Sequence, residues 1–229
     1  MKELKQYIEE SLLDDFDTLA GNIDARGEVL QFIKDTYNTP SKFRVSAKPQ
    51  ANGKYLVNVT GNVSFKRSWD TEYLTNGLFE FGRVTGDVLF GVNTKSGRGA
   101  LKSLEGAPRE IVGDFNVSGQ ALTSLENCPQ TIRGTIRIND LNINSLKGIS
   151  NYIISLECCK TNIENFEGLP NQILGSFACT DNPKLVSLKG LPKKIYGQLT
   201  LANNGKYFDV DTVKQHTDVN ICSVQVPLR

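Results

Sequence analysis

The sequence predicts a mainly β solenoid. Three observations predict it: a repeat of about 21 residues, a period-two alternation of apolar side chains within each repeat, and proline and glycine at fixed offsets. From Leu101 the chain reads LKSLEGAPREIVGDFNV, and from Leu122 it reads LTSLENCPQTIRGTIRI. From Ile143 it reads INSLKGISNYIISLECC, then IENFEGLPNQILGSFAC from Ile163 and LVSLKGLPKKIYGQLTL from Leu185. The leading apolar residues lie 21, 21, 20 and 22 apart, a drift that loop tips absorb without disturbing a repeating core. About five such repeats fill residues 101–205.

Each part of the repeat has a physical reading. In Gly113–Val117 the alternation turns Phe115 and Val117 one way and Asp114 and Asn116 the other. The corresponding inward pairs are Ile136/Ile138, Phe177/Cys179 and Leu199/Leu201, with Leu156/Cys158 in the shorter third repeat. Gly113, Gly134, Gly175 and Gly197 are expected at a tight bend entering the strand. Pro108, Pro129, Pro170 and Pro192 cannot donate a ladder hydrogen bond, so they belong to the return stretch between strands. Each repeat offers about five apolar side chains, each stabilising by roughly 1.5–3 kcal/mol when fully buried. A single unit cannot bury them; stacked units can.

The flanks differ. Residues 42–100 hold short glycine-led alternating segments and are expected to form an amino-terminal β cap. Residues 206–229 are expected to close the other end with a short helix and a strand. In residues 14–41 an acidic linker leads to a second helix carrying Val29, Leu30, Phe32 and Ile33, which should stop near Tyr37 because Pro40 disfavours helix before it. Residues 1–13 place Leu4, Tyr7, Ile8 and Leu12 at helical spacing, as an amphipathic targeting or docking helix would.

Composition narrows the function. A net charge of +1 gives no pull toward nucleic acid or an anionic membrane surface. Five cysteines and one histidine suit neither a dense disulfide framework nor histidine-based chemistry. No secretory leader and no 18-residue apolar run is present, so a soluble protein of a reducing compartment is expected, not one secreted by a signal peptide. On that ground the triplets at Asn58, Asn62 and Asn116 are chance matches to the glycosylation pattern.

Motifs that would carry chemistry fail on inspection. Gly77 and Gly82 have phosphate-loop spacing, but Arg83-Val84 stand where Lys and a hydroxyl are needed. Asp15-Phe16-Asp17 begins like a calcium loop, but Leu19 and Ala20 occupy positions that need an oxygen ligand and glycine. Cys158, Cys159 and Cys179 lack the Cys-x-x-Cys or histidine company of a zinc site and read as core thiols, one of the first two pointing outward. His216 has no nucleophile pattern around it. The expectation is a protein that is not an enzyme and holds no metal or cofactor.

Two candidate surfaces remain. The outward positions Asp114, Asn116, Thr135, Arg137, Ser176, Gln198 and Thr200 form a polar stripe on the predicted sheet. The loop with Lys66, Arg67, Trp69 and Tyr73 mixes basic and aromatic side chains, as contact sites do, although Asp70 and Glu72 cancel its charge.

The Leu-x-Ser-Leu-x-Gly-x-Pro…Gly-x-apolar-x-apolar repeats resemble the leucine-rich-repeat-like proteins of large tailed bacteriophages, over roughly residues 77–205. The expected fold is accordingly a leucine-rich-repeat-like solenoid that departs from the common pattern by lacking a regular Asn ladder position. The opening Met1-KELKQYIEE-Ser11 is similar to the capsid-targeting sequence of internal head proteins of T-even-like phages. That resemblance implies a helix displaying Leu4, Tyr7 and Ile8, with cleavage by a prohead protease between Glu10 and Ser11.

Together these imply a non-enzymatic solenoid that binds a virion or host protein, packaged inside a phage head, trimmed after Glu10 and delivered to the host. One alternative is an unpackaged host-takeover or counter-defence binder in the bacterial cytoplasm. Another is a carbohydrate-binding structural protein of the virion.

Overall fold

The computed structural model describes residues 25–38, 42–67, 70–92 and 97–225. The described chain is mainly β, with helix α1 over residues 25–36 and a short α2 at Val210–Lys214. Strands β2 (Tyr55–Thr60), β4 (Phe79–Val84), β6 (Glu110–Ile111) and β8 (Thr131–Ile132) pair in parallel and form the first sheet. Strand β1 (Lys42–Val45) runs antiparallel on its amino-terminal edge.

The second sheet stacks β3 (Val63–Ser64), β5 (Val88–Leu89), β7 (Phe115–Asn116), β9 (Thr135–Arg137), β10 (Ser155–Glu157) and β12 (Phe177–Thr180). Strand β13 (Lys194–Ala202) is long enough to serve both sheets: its start pairs with β11 (Gln172–Ile173), its end with β12, and β14 (Asp218–Gln225) lies along its other side. The result is a parallel β-solenoid of about seven turns.

The register follows the repeat. Phe115 faces Ile136, Ile136 faces Leu156, Leu156 faces Phe177 and Phe177 faces Leu199, all buried. Four further buried columns run beside this one, headed by Leu101, Leu104, Ile111 and Val117. The third repeat, one residue shorter, places Leu156 and Cys158 in the core columns as its alternation requires. The four prolines lie on the return stretch, two residues before β6, β8, β11 and β13 begin.

One expectation needs correction. The solenoid is not confined to five repeats over 101–205: β2 through β5 already pair in parallel with the later turns, and β14 continues them past residue 205. Longer connections hide the early turns, whose core is aromatic. Phe65 stacks on Phe90 at 4.2 Å, and Tyr37 packs against both rings from the end of α1. The amino-terminal closure is therefore α1, with Val29, Ile33 and Tyr37 buried, together with β1.

Gly113, Gly134 and Gly175 stand at bends entering their strands, as expected, and Gly197 lies within β13; what they supply is close approach. A Cβ on Gly134 would lie 2.6 Å from the Gly113 carbonyl carbon, and one on Gly197 would lie 2.6 Å from that of Gly175. Each of these glycines leaves room for the next, and the left-handed backbone belongs elsewhere. It appears at Gly106, Asn127, Gly148, Gly168 and Gly190 in the Leu-x-Ser-Leu-x-Gly position, and at Gly119, Asp140, Lys160, Asp181 and Asn203 after β7, β9, β10, β12 and β13.

A regular Asn ladder position is lacking, as expected, and polar side chains take its place in some turns. Gln120, Leu141, Thr161, Asn182 and Asn204 share one position of successive turns. Asn182 Oδ1 accepts from the Thr161 backbone N–H at 2.8 Å, and its Nδ2 donates to the Cys158 carbonyl at 3.0 Å. Asn204 repeats this one turn on, accepting the Asn182 N–H at 3.1 Å and donating to the Cys179 carbonyl at 3.0 Å. Backbone groups turned inward at the end of the second-sheet strand thus find partners in the core. Leu141 interrupts the ladder, and one turn earlier the Gln120 N–H falls back on the Val117 carbonyl at 3.4 Å.

Candidate interaction surface

Side chains of the polar stripe on the second sheet bind across turns, mostly to backbone N–H groups of the next turn. Asp87 Oδ1 accepts the Asp114 N–H at 2.9 Å, and Asp114 Oδ1 accepts the Thr135 N–H at 2.8 Å. Ser155 Oγ accepts the Ser176 N–H, and Ser176 Oγ accepts the Gln198 N–H, both at 3.2 Å. These oxygens line the corner between the sheets and satisfy N–H groups that the bend removes from the ladder.

Arg137 lies between two carboxylates, with Nη1 2.6 Å from Asp114 Oδ2 and Nε 3.2 Å from Glu157 Oε1. Partial burial pushes the Asp114 carboxyl up, but the guanidinium and the Thr135 N–H outweigh it and hold the group below the usual carboxylate range. The Asp114 hydrogen bond in turn raises Arg137. Asn116 Oδ1 accepts the Ser118 N–H at 2.9 Å, and Thr200 lies in register with Ala178 and Ser223. The structure brings these predicted residues onto one face, where much of their bonding capacity is spent within the solenoid.

The Lys66–Tyr73 loop is tied to the cap. Lys66 donates from its backbone to the Thr36 carbonyl at 2.8 Å and from Nζ to the Lys34 carbonyl, fixing the end of α1. The Arg67 carbonyl accepts from Thr71 Oγ1 at 2.7 Å. Tyr73 is 62% exposed and lines an open groove of about 740 Å³ with Leu74, Asn76, Ser103 and Glu105. Trp69 and the targeting residues Leu4, Tyr7, Ile8, Glu10 and Ser11 lie outside the described residues.

The outer face of the first sheet changes character along the solenoid. Its amino-terminal half is a charge ladder: Glu80 holds Gln50 and Arg109, and Glu110 holds Arg83 at 3.6 Å and Arg133 at 3.4 Å. Beyond β8 the same side of the solenoid, continued by β11 and the start of β13, is apolar. Ile154, Leu174 and Tyr196 each follow a buried isoleucine (Ile153, Ile173, Ile195) by one residue, so strand alternation turns them outward. The Leu174 N–H donates to the Ile153 carbonyl at 3.1 Å, and Ile173 faces Ile195, which makes the three turns neighbours. Tyr152 is 44% exposed, Leu174 37% and Tyr196 49%. Lys194 Nζ lies 4.8 Å from the Tyr196 ring centre and 3.5 Å from Asp218. The sequence reading missed this row, although the same alternation that placed the core columns also places it.

The five thiols are free, with Cys128, Cys158 and Cys179 buried and Cys159 and Cys222 partly exposed. Burial pushes the Cys128 thiol up to about 12 and raises Cys179 well above its ordinary value. His216 is exposed, its Nδ1 3.0 Å from the Thr212 carbonyl. Among the described residues no group of three or more His, Cys, Asp or Glu side chains could hold a metal ion, and no helix is long and apolar enough to cross a membrane. No protein family, curated protein or solved structure matches the chain.

Proposed function

We propose that the protein is a non-enzymatic, protein-binding solenoid whose working surface is the outer face on the first sheet's side. The observation that carries this reading is the outward row Ile154, Leu174 and Tyr196 on consecutive turns, with Leu174 and Tyr196 exposed and exposed Tyr152 two residues before Ile154. Polar side chains of the second sheet, by contrast, are engaged within the solenoid by backbone N–H groups and, at Arg137, by carboxylates. Aromatic anchors with aliphatic neighbours carry a disproportionate share of interface energy. A stacked sheet holds them at fixed spacing, so little conformational freedom is lost on binding. Exposed Arg133, Lys193 and Lys194 border the row, which favours a partner with an apolar centre and an acidic rim.

The test compares Tyr152→Ala/Tyr196→Ala with the parent protein in affinity for the partner. A loss of about 100-fold or more is expected, two anchors at about 2 kcal/mol each, with an unchanged unfolding midpoint. Ser176→Ala/Thr200→Ala on the second sheet should stay within about threefold of the parent. The opposite pattern would assign the work to the second sheet.

The similarity of residues 1–11 to a capsid-targeting sequence supports a place inside a phage head, with removal of residues 1–10 by a prohead protease. The intact mass of the chain recovered from mature particles is then expected to correspond to a start at Ser11. A start at Met1 would deny trimming. Absence from the particle would deny packaging and leave the host-cytoplasm binder.

A further inference from the structure

We propose that the groove along the open edge of β1 is the docking site of the chain's own acidic segment, residues 9–17. The inference is independent of the first-sheet surface above. Strand β1 ends its sheet, and no described strand pairs with its outer side. An extended edge of this kind presents N–H and C=O groups that a further strand can take up.

The groove beside it is open to solvent and is lined by Arg26 of α1, Lys42 and Arg44 of β1 and Thr60 of β2, over Leu30, Phe43 and Val45. Among the described residues no carboxylate lines it. None of the three cations makes an ion pair among the described residues, whereas Arg83, Arg109, Arg133 and Arg137 on the sheets all do. Leu30 is 37% exposed and gives the groove an apolar wall.

The sequence supplies a segment with complementary chemistry. Glu9-Glu10-Ser11-Leu12-Leu13-Asp14-Asp15-Phe16-Asp17 carries five carboxylates and no cation, with three large apolar side chains among them. Carboxylates meet the three cations, and Leu12, Leu13 and Phe16 suit the wall formed by Leu30 and Phe43. Reach is not limiting. Helix α1, whose Arg26 lines the groove, begins at residue 25, and a stretch of eight residues from 17 to 25 spans up to about 28 Å when extended. Strand β1, four residues long, measures only about 13 Å. Attachment to the same chain also gives the segment an effective concentration on the order of millimolar.

The experiment uses the full chain. A carbodiimide joins contacting carboxylates to lysine amines without a spacer, and peptide mass spectrometry reads the products. Lys42 is expected to be joined to Asp14, Asp15 or Asp17. The yield should fall about tenfold in 1 M NaCl and in Arg26→Glu/Arg44→Glu, which leaves Lys42 in place. In an equal mixture of ¹⁵N-labelled and unlabelled protein, the links should join peptides of one isotope. Absence of the Lys42 links, or links indifferent to the double substitution, would overturn the proposal. Mixed-isotope links would do so as well, by giving the groove to a second copy. Hydrogen exchange provides a readout that needs no cross-link: Asp14→Lys/Asp15→Lys/Asp17→Lys should speed exchange of the β1 amides about tenfold. Unchanged exchange would also overturn it. Tyr152→Ala/Tyr196→Ala should leave both readouts as they are, which separates this groove from the first-sheet surface.

Discussion

Alanine at position 190 is expected to destabilise the fold by about 3 kcal/mol or more, read as a lowered urea midpoint at unchanged slope. Gly190 has φ +82, and a side chain in that region costs roughly 1–2 kcal/mol by itself. The larger effect is contact. An added Cβ would lie 2.5 Å from the Glu167 nitrogen and 2.5 Å from the Phe166 carbonyl carbon, both backbone atoms of the preceding turn. Moving that turn disturbs Phe166, which is fully buried and packs edge-on against Phe177 at 5.5 Å. Gly168 presses on Leu146 and Lys147 in the same way, and Gly148 presses on Leu125, so the glycines form a spine of turn-to-turn contacts. Gly106→Asn is the control. A Cβ there meets the side chain of Thr75, which can rotate, and Asn127 occupies the equivalent position natively at φ 63. That variant should lose no more than about 1 kcal/mol. A comparable small loss for Gly190→Ala would sink the close-contact account of the spine.

These glycines mark the limit of local reading. Leu101, Leu104, Ile111, Phe115 and Val117 announce five core columns because period and alternation decide which side chains turn inward, and all five are buried. The role of Gly134 or Gly190 depends on an atom one full turn away, which adjacency in the chain does not reveal. The early turns were hidden for a related reason. Val63 pairs with Val88 and Val88 with Phe115 at longer spacing than the 21-residue repeat, so β3 and β5 read as isolated strands of a cap.

The candidate surface divides along similar lines. Alternation places Asp114, Thr135, Arg137 and Ser176 outward, where they are found, but it is silent on whether an outward side chain is already engaged. Arg137 bridging Asp114 and Glu157 links residues of three turns, and that pairing removes much of what made the stripe inviting. Ile154, Leu174 and Tyr196 were equally legible as outward. Their significance comes from Leu174 and Tyr196 remaining exposed, as Tyr152 does, with no loop folded over them among the described residues. Position follows from the period, whereas exposure depends on where the return stretches of all the turns pass.

Leucine at position 182 is expected to destabilise the protein by about 3 kcal/mol despite similar size and greater hydrophobicity. Asn182 is fully buried and accepts both the Thr161 N–H at 2.8 Å and the Thr161 hydroxyl at 2.7 Å. Its amide donates to the Cys158 carbonyl, so one side chain satisfies three polar groups of the preceding turn. Leucine would remove the partner of two buried donors and a buried acceptor, at roughly 1–3 kcal/mol for each group left unsatisfied, against a gain from added apolar burial of about 1 kcal/mol. The Thr161 amide should exchange with solvent markedly faster, since the loss is local before it is global. Leu141 shows that the position itself admits a leucine, and the comparison isolates the cause. The Gln120 N–H, in the turn before Leu141, reaches the Val117 carbonyl. Thr161 is 2% exposed, and Asn182 is the acceptor of both its N–H and its hydroxyl. A loss below about 1 kcal/mol, or an unchanged Thr161 exchange rate, would make the column a matter of packing volume. The expected loss would make it the element that lets a stack of very short strands end each turn without an unpaired backbone group.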